Sequence, residues 1–192
     1  MSSSPNKNSL AFNHVRVEVV TTYEQLLHAF AVRSICFMEE HGVSALQTYD
    51  GNDYQATHVI VYAADEPIAT ARLRWFRDFA KMERTCFRKE HRGPRILQYC
   101  SQFIFDHVAQ KGYNKLITHA KPKYARMWRG VLGFEQVNKE PMYFSNETEP
   151  YIELVKYIDP HPKAISDQES VAVLFRVEGQ WSIPSNFERR EV

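Results

Sequence analysis

The sequence predicts an α+β domain in which a central mixed, mostly antiparallel sheet is flanked by helices. Strand-like alternation and helix-like spacing follow one another in the order β, α, three strands, α, β, α and further strands. Three successive strands without intervening helices argue against a doubly wound parallel sheet. The hydrophobic share of 44% among 192 residues is enough for a sizeable core.

The first half of the chain opens with a polar stretch, residues 1–13, which predicts a flexible leader before a single domain over residues 14–192. Residues 14–20 alternate apolar and polar side chains and predict a half-buried strand. Thr22 followed three residues later by Gln25 matches a capping box, so a helix is expected to begin there. The helix should end near Gly42, and a polar connection, a strand hairpin and a third strand follow at residues 43–53, 57–75 and 81–87.

The second half begins with a helix predicted at residues 94–111, because Pro94 suits a first helical turn and Gly112 suits a C-terminal cap. A strand at 115–118, a helix at 123–131 and strands at 134–137 and 151–158 follow. Residues 171–177 alternate again and predict a C-terminal strand extension of the domain.

Composition narrows the function classes. Lys and Arg number 24 against 23 Asp and Glu, so no global basic field favours nucleic acid. Three cysteines without CxxC spacing argue against a disulfide framework or a metal site and favour reduced thiols in a cytoplasmic protein. No apolar run is long enough to span a membrane.

One stretch, residues 83–97, is the part of the sequence that indicates a ligand-binding site. A strand runs into a basic loop, and the loop opens a helix whose free backbone N–H groups attract phosphate. Four cations surround that point, namely Arg88, Lys89, Arg92 and Arg95. A pyrophosphate ligand fits this arrangement because arginine matches phosphate oxygens in bidentate fashion, and a solvated basic turn is the alternative interpretation.

This stretch resembles the acyl-CoA loop of the GNAT superfamily, whose members often read V-x-P-E-Y-R-G-x-G-I-G between a strand and a helix. The residues in step with that pattern are Phe87, Glu90, His91, Arg92, Gly93 and Ile96. In the first half of the chain a second set of residues resembles the R…F…E…D…D…H spacing of some members. These residues are Arg33, Phe37, Glu39, Asp50, Asp53 and His58. The pairs Gly112-Tyr113 and Gly133-Phe134 resemble the family's later glycine positions, so the resemblance spans roughly residues 23–134.

The resemblance implies an N-acyltransferase, most simply an N-acetyltransferase, that moves an acetyl or longer acyl group from CoA to an amine by direct attack. Acetyl-CoA or acyl-CoA would be the co-substrate, without a metal. The residues expected to contact it are Cys86, Phe87, Arg88, Arg92, Gly93, Arg95 and Ile96. The acceptor would be a small-molecule or peptide amine, and a homodimer is left open.

Three departures from the family pattern keep other functions open. Arg95 and Leu97 stand where the loop usually has glycines, and Pro94 removes one N–H donor. Arg129 stands where a tyrosine often protonates the leaving thiolate. The alternatives are an acyltransferase that uses acyl-carrier protein, as homoserine-lactone synthases do, and a non-catalytic binding module on the same scaffold.

Three residues are catalytic candidates. Glu83 is expected to act as the base, with alternation placing it on the same strand face as Thr85. His119 is expected to transfer protons just after a short strand, and Tyr124 to act as the acid. The competing interpretations are a salt-bridged glutamate, a structural histidine and a surface tyrosine.

The other residues near this stretch are interpreted as structural or as substrate contacts. Cys86 as a nucleophile is disfavoured, because no base accompanies it in the sequence and strand cysteines usually pack in cores. Asp50, Asp53 and His58 lack the spacing of a recognised metal loop and are interpreted as turn and substrate-side residues. Arg72, Arg74 and Trp75 lie on the strand before the cleft. They are expected either to contact an anionic acceptor or to line the sheet face.

Overall fold

The computed structural model describes residues 12–144 and 148–188. Its sheet contains seven strands in the order β1-β2-β3-β4-β5-β7-β6, and every neighbouring pair is antiparallel except β4 and β5. The strands are β1 (Val15–Val19), β2 (Thr57–Ala63), β3 (Glu66–Trp75), β4 (Ala80–Phe87), β5 (Lys115–Ala120), β6 (Glu135–Gln136) and β7 (Ile152–Tyr157). The predicted fold class is confirmed.

Helices cover both faces of the sheet. They are α1 (Tyr23–Arg33), continued by a π-helix (Ser34–Glu39), then α2 (Ala45–Thr48), α3 (Pro94–Gln110), α4 (Pro122–Leu132) and α5 (Val171–Leu174). Successive residues of β2 point to opposite faces, and Ile60 packs with Ala29 of α1 whereas Val59 packs with Ile104 of α3. We call these the α1 face and the α3 face.

Local signals explain where these helices begin and end. The capping box predicted at Thr22 is confirmed, since its side chain accepts from the Gln25 N–H and the Gln25 side chain returns to the Thr22 N–H. Gly112 adopts a φ of +87° after α3, and Gly133 a φ of +71° after α4. Both values lie in the left-handed region that glycine occupies without steric cost.

The predicted strand at residues 171–177 is wrong. The segment forms the single turn α5. Its apolar side chains are largely exposed, at 69% for Val171, 50% for Leu174 and 48% for Val177. A short alternating run is compatible with a strand only where a sheet edge is available to pair with it. Here the tail is instead held by Glu178, which contacts β2 and α3.

Three smaller differences concern element bounds. The connection at residues 43–53 contains α2, followed by a 3₁₀ turn at Asp53–Gln55. β5 continues to Ala120, so His119 lies inside the strand instead of after it. The leader prediction falls largely on residues 1–11, outside the described residues, and Phe12 stacks on Tyr99 with ring centroids 5.1 Å apart. Within the described ranges no helix has the length and apolar character needed to cross a membrane.

Candidate active site

A cleft opens where β4 and β5 part. These parallel strands pair only at Ala80 with Leu116 and at Lys81 with Ile117. Beyond that point one side-chain contact joins them, the Thr118 hydroxyl donating to the Met82 carbonyl at 2.9 Å. The edge of β4 that faces β5 is therefore open beyond Met82, and an extended ligand could hydrogen bond to its backbone as an added strand would.

A β-bulge shapes β4 beside the cleft. Glu83 pairs with Arg72 and Cys86 with Thr70, so Arg84 and Thr85 together stand opposite a single residue of β3. Arg84 adopts a φ of +51°, in the left-handed region. The bulge re-aims the side chains and backbone N–H groups at this point of the strand.

The bulge overturns the predicted alternation. Glu83 and Thr85 were expected on one face, but Glu83 bonds Arg72 on the α1 face while Thr85 lines a small apolar cavity with Phe87 and Ile104 on the α3 face. The extra residue at the bulge shifts the period by one, which transfers Thr85 to the opposite face.

Glu83 is held as a carboxylate. Its Oε2 accepts from Arg72 Nη2 at 2.5 Å, and its Oε1 lies 2.8 Å from Lys81 Nζ. Burial alone would raise the pKa of Glu83, but the hydrogen bonds from Lys81 and Arg72 outweigh it and hold the pKa below its usual value. A carboxylate stabilised in this way is a weak base.

His119 lies across the cleft on β5 and is better suited to accept a proton. Burial lowers the pKa of His119, and the Lys81 ammonium lowers it further, against an opposing effect of Glu153. Its Nε2 is 3.4 Å from Glu153 Oε2, and its buried Nδ1 has no hydrogen-bond partner among the described residues. The imidazole is therefore neutral near pH 7, with a buried nitrogen that no described residue hydrogen bonds.

Glu153 is a site residue that sequence reasoning missed. It lies on β7 directly opposite His119 in the antiparallel ladder and also meets Lys139 Nζ at 2.5 Å. The alternation of the β7 segment indicates a strand but not its register against a strand some thirty residues earlier. Only the sheet order brings the two side chains together.

A buried ionic network supports the α1 face of the cleft. Arg72, 1% exposed, donates to Asp50 at 2.7 Å and 2.9 Å and to Asp53 at 2.9 Å. Arg33, fully buried, donates to Asp53 at 2.6 Å, and Arg84 donates to Asp50 at 2.8 Å. Each buried charge has an opposite partner, as burial requires. The carboxylates that resembled a metal cluster are thus engaged with arginines, and no metal-ligand group forms within residues 12–144 and 148–188.

Known proteins share this architecture. No family model matches the sequence. Over 107 residues the chain is 27% identical to YjcF, an uncharacterised N-acetyltransferase of Bacillus subtilis, covering 56% of this chain and 76% of the relative. A candidate N-acetyltransferase from Lactobacillus plantarum superposes with a TM-score of 0.69 at 24% identity, covering 76% of this chain and 99% of the other. The chain has the GNAT fold.

A second solved GNAT neighbour extends the comparison. An acyl-CoA N-acyltransferase from Pseudomonas aeruginosa superposes with a TM-score of 0.62 at 16% identity, over 74% of this chain and 97% of the other. The relative in sequence is named an N-acetyltransferase, and the two structural neighbours share the fold of this chain.

The GNAT loop of this chain ends at α3. Gly93 precedes the helix with an extended backbone, at a φ of 178°, and no side chain caps the helix. Pro94 contributes no N–H, so the free donors of the first turn are those of Arg95 and Ile96. Ile96 packs partly against the core, and the Arg95 side chain is exposed. This helix start can receive an anion through few donors.

Two arginines of the loop have protein partners. Arg88 Nη2 lies 3.0 Å from Glu90, and its Nη1 contacts Glu66. Arg92 donates to the Phe87 carbonyl at 2.8 Å and forms an ion pair with Glu40 beyond the π-helix. These arginines fasten the loop to its neighbours. Lys89 and Arg95 are exposed and form no ion pair within the described part of the chain.

The remaining predicted contacts belong to the β4 strand. Burial raises the pKa of Cys86 and the neighbouring Cys36 raises it further, so Cys86 stays a thiol rather than a nucleophile. Phe87 packs against the core on the α3 face. Both residues place their backbone at the open edge of the cleft.

Tyr124 lies in the first turn of α4, on the α3 face, and is 39% exposed with Lys123 over its ring at 5.2 Å. Glu83 and His119 lie on the α1 face. The structure thus brings Glu83 and His119 together and leaves Tyr124 without a hydrogen bond to either in the described ranges. Arg129, where GNAT proteins often have a tyrosine, lines an open groove beside β6 with Arg126.

Proposed function

We propose that this protein transfers an acyl group from acyl-CoA to an amine, with acetyl-CoA as the simplest donor. One observation carries the proposal: a neutral histidine with an unpartnered nitrogen stands at the point where β4 and β5 separate. A proton acceptor is therefore next to an open strand edge that can bind a thioester arm.

The donor would lie along β4. The amides of a pantetheine arm can pair with the open backbone beyond Met82, as a short added strand. The phosphates would then lie near the N-terminus of α3, where the Arg95 and Ile96 N–H groups, Lys89 and the Arg95 side chain provide positive charge.

The reaction would be direct transfer. The acceptor nitrogen would attack the thioester carbonyl, and a backbone N–H of the bulge, where Arg84 adopts a positive φ, would stabilise the oxyanion. His119 accepts the proton that the nitrogen loses, the C–S bond breaks, and the thiolate leaves as CoA. Glu83 would position Lys81 and Arg72 instead of acting as the base, because its pKa is held low.

A second donor is favoured by one observation. Arg88 and Arg92 are already bound to Glu66 and Glu40, so the loop retains fewer cations than a pyrophosphate and a further phosphate would use. A donor with one phosphate, the acyl-phosphopantetheine of a carrier protein, requires less charge. The neutral His119 beside the cleft favours catalysis over a purely binding role.

A thermal-shift titration with acetyl-CoA, a long-chain acyl-CoA, free CoA and acetyl-phosphopantetheine tests the proposal. A ligand at 100 times its Kd stabilises the folded state by about 2.7 kcal/mol, which for this chain length raises Tm by roughly 5–10 °C. Arg95→Glu should reduce the shift from CoA compounds. The matched control is Arg77→Glu, which reverses an arginine 94% exposed in the turn at the other end of β4.

The outcomes separate the donors. A shift with CoA compounds that Arg95→Glu weakens and Arg77→Glu preserves supports acyl-CoA as the donor. An equal shift with acetyl-phosphopantetheine, insensitive to Arg95→Glu, favours the carrier-protein donor. If none of the four compounds raises Tm, the proposed function is wrong.

A further inference from the structure

The α1 face beside the cleft carries more positive than negative charge. The buried network itself is balanced, with Arg33, Arg72 and Arg84 facing Asp50, Asp53 and Glu83. Two more cations, Arg74 and Lys81, border this network at the closed end of the cleft, where β4 and β5 still pair. Their acidic neighbour in the described structure is Glu83, which already holds Arg72.

One carboxylate is thus shared among three cations. Arg72 lies 2.5 Å from Glu83, Lys81 lies 2.8 Å away, and Arg74 lies 3.8 Å away, beyond hydrogen-bond reach. A second carboxylate beside the cleft, Glu153, is paired with Lys139 at 2.5 Å and lies 3.4 Å from His119. The guanidinium of Arg74 therefore has donors that no residue within 12–144 and 148–188 uses, and an anion brought to it would gain charge-assisted hydrogen bonds.

The two cations are held in place and are accessible. Arg74 on β3 is directly opposite Lys81 on β4, so both side chains leave the sheet together on the α1 face. Arg74 stacks over Phe76 at 5.0 Å and is 30% exposed, and Lys81 is 24% exposed. Lys81 belongs to the last ladder pair before β4 and β5 separate, two residues from the level of His119.

The positive potential around Lys81 also acts on the neighbouring His119. Lys81 is the largest charge effect that lowers the pKa of His119, after burial. A neutral amine would gain nothing from that potential, whereas a molecule that carries an anionic group beside its amine would be drawn to it and oriented by it.

We infer that the acceptor is an amino acid, a small molecule whose carboxylate binds Arg74 and Lys81 while its amine faces His119. This inference rests on the proposed function and specifies its substrate class. The carboxylate would replace solvent at the unused Arg74 donors, and the separation of the two binding points would position the nitrogen for attack. A peptide or protein amine without a nearby carboxylate would lack this contact.

Binding measurements test the site independently of turnover. A panel of N-acetyl amino acids and the matching N-acetyl amino acid amides is titrated into the CoA-saturated protein by calorimetry. We expect the acids to bind at least tenfold more tightly than the amides. Arg74→Gln should weaken the acids by about 10- to 100-fold, the range expected for a charge-assisted hydrogen bond, and leave the amides within twofold. Arg77→Gln, on an exposed neighbouring turn, should change neither.

Turnover measurements then distinguish a failure of the amino-acid acceptor from a failure of the proposed acyl transfer. Free amino acids and their amides are compared as acceptors with acetyl-CoA, and Arg74→Gln should raise KM for the acids while its Tm shift with acetyl-CoA shows that it folds. Equal binding of acids and amides, or equal losses for both in Arg74→Gln, would overturn the inference. Carboxylate binding at Arg74 without turnover of any amine would keep the site and reject the acyl-transfer proposal.

Discussion

At the scale of single residues, one lysine contributes to the protonation state of both Glu83 and His119. The Lys81 ammonium helps to hold Glu83 as a carboxylate and helps to keep His119 neutral. Both pKa values are lowered, which leaves Glu83 negatively charged and His119 neutral and able to accept a proton. Groups with such contrasting environments are candidates for divided roles in catalysis.

Lys81→Met should move the acid limb of the pH–rate profile to higher pH. His119 acts as a base only when neutral, hence above its pKa, and its pKa is held below 6.5 by burial and by Lys81. Removing the ammonium raises that pKa, although Lys139 still lowers it and Glu153 and Glu83 still raise it. The measurement is kcat/KM against pH with a carboxylate-free amine as acceptor.

The matched control for that experiment is Lys139→Met, since Lys139 lowers the pKa of His119 less than Lys81 does. We expect a shift in the same direction but smaller. An acid limb that stays in place in Lys81→Met would mean that the base is a different residue.

At the scale of elements, the bulge in β4 distinguishes this strand from its neighbours. Arg84 adopts left-handed backbone geometry, which costs a residue with a side chain about 1–2 kcal/mol. Its guanidinium offsets this by donating to the Gln47 carbonyl at 2.6 Å and to Asp50 at 2.8 Å. The strain and its compensation lie beside the open strand edge.

Arg84→Gly should therefore be more stable than Arg84→Ala, by about 1 kcal/mol, because both lose the ion pair but only glycine relieves the backbone. Urea unfolding of the two variants measures the difference. Arg74 lies on β3, outside the left-handed region, and serves as the control. There glycine should be less stable than alanine by about 0.5–1 kcal/mol. The same order at both positions would contradict the role of the bulge.

Most helices and strands of the first half could be predicted from the sequence, whereas the bulge in β4 could not. The alternation of β1 to β3, the capping box at Thr22 and the proline and glycine around α3 predicted their elements closely, because each signal is local. The bulge carried no such signal, since arginine is not a residue that marks left-handed geometry. The face of Thr85 was mispredicted for that reason.

The site could be predicted only in part for a similar cause. Glu83 and His119 were identified as neighbours of the cleft, but their protonation depends on Lys81, Arg72 and Glu153. Arg72 and Glu153 lie on strands next to those of the groups they contact, and Lys81 reaches His119 from the neighbouring strand, so sheet register brings them together. Charge partners that meet across strands leave no pattern in a single sequence.

At the scale of the whole molecule, the two faces of the sheet are built differently. The α3 face holds the main apolar core, including Leu73, Met82 and Trp128, whereas the α1 face beside β4 holds the ionic network. The C-terminal tail is fastened to β2 and to the end of α3 through one carboxylate. Glu178 accepts from Thr57 of β2 at 2.7 Å and from Lys111 at 3.0 Å.

Glu178→Gln should destabilise the protein at neutral pH by about 1 kcal/mol, allowing for screening at a carboxylate that is 35% exposed. Burial opposes its ionisation, but hydrogen bonds from His107, Thr57 and Lys111 lower its pKa from 4.5 to about 2. A lowered carboxylate pKa stabilises the folded state above the unfolded value, and this stabilisation is lost as pH falls from 4.5 towards 2. Urea unfolding from pH 7 to 3.5 should show the gap to wild type narrowing below pH 4.5. The exposed Asp167→Asn should open no gap, and a constant Glu178→Gln gap would mean that the tail is not held by this charge.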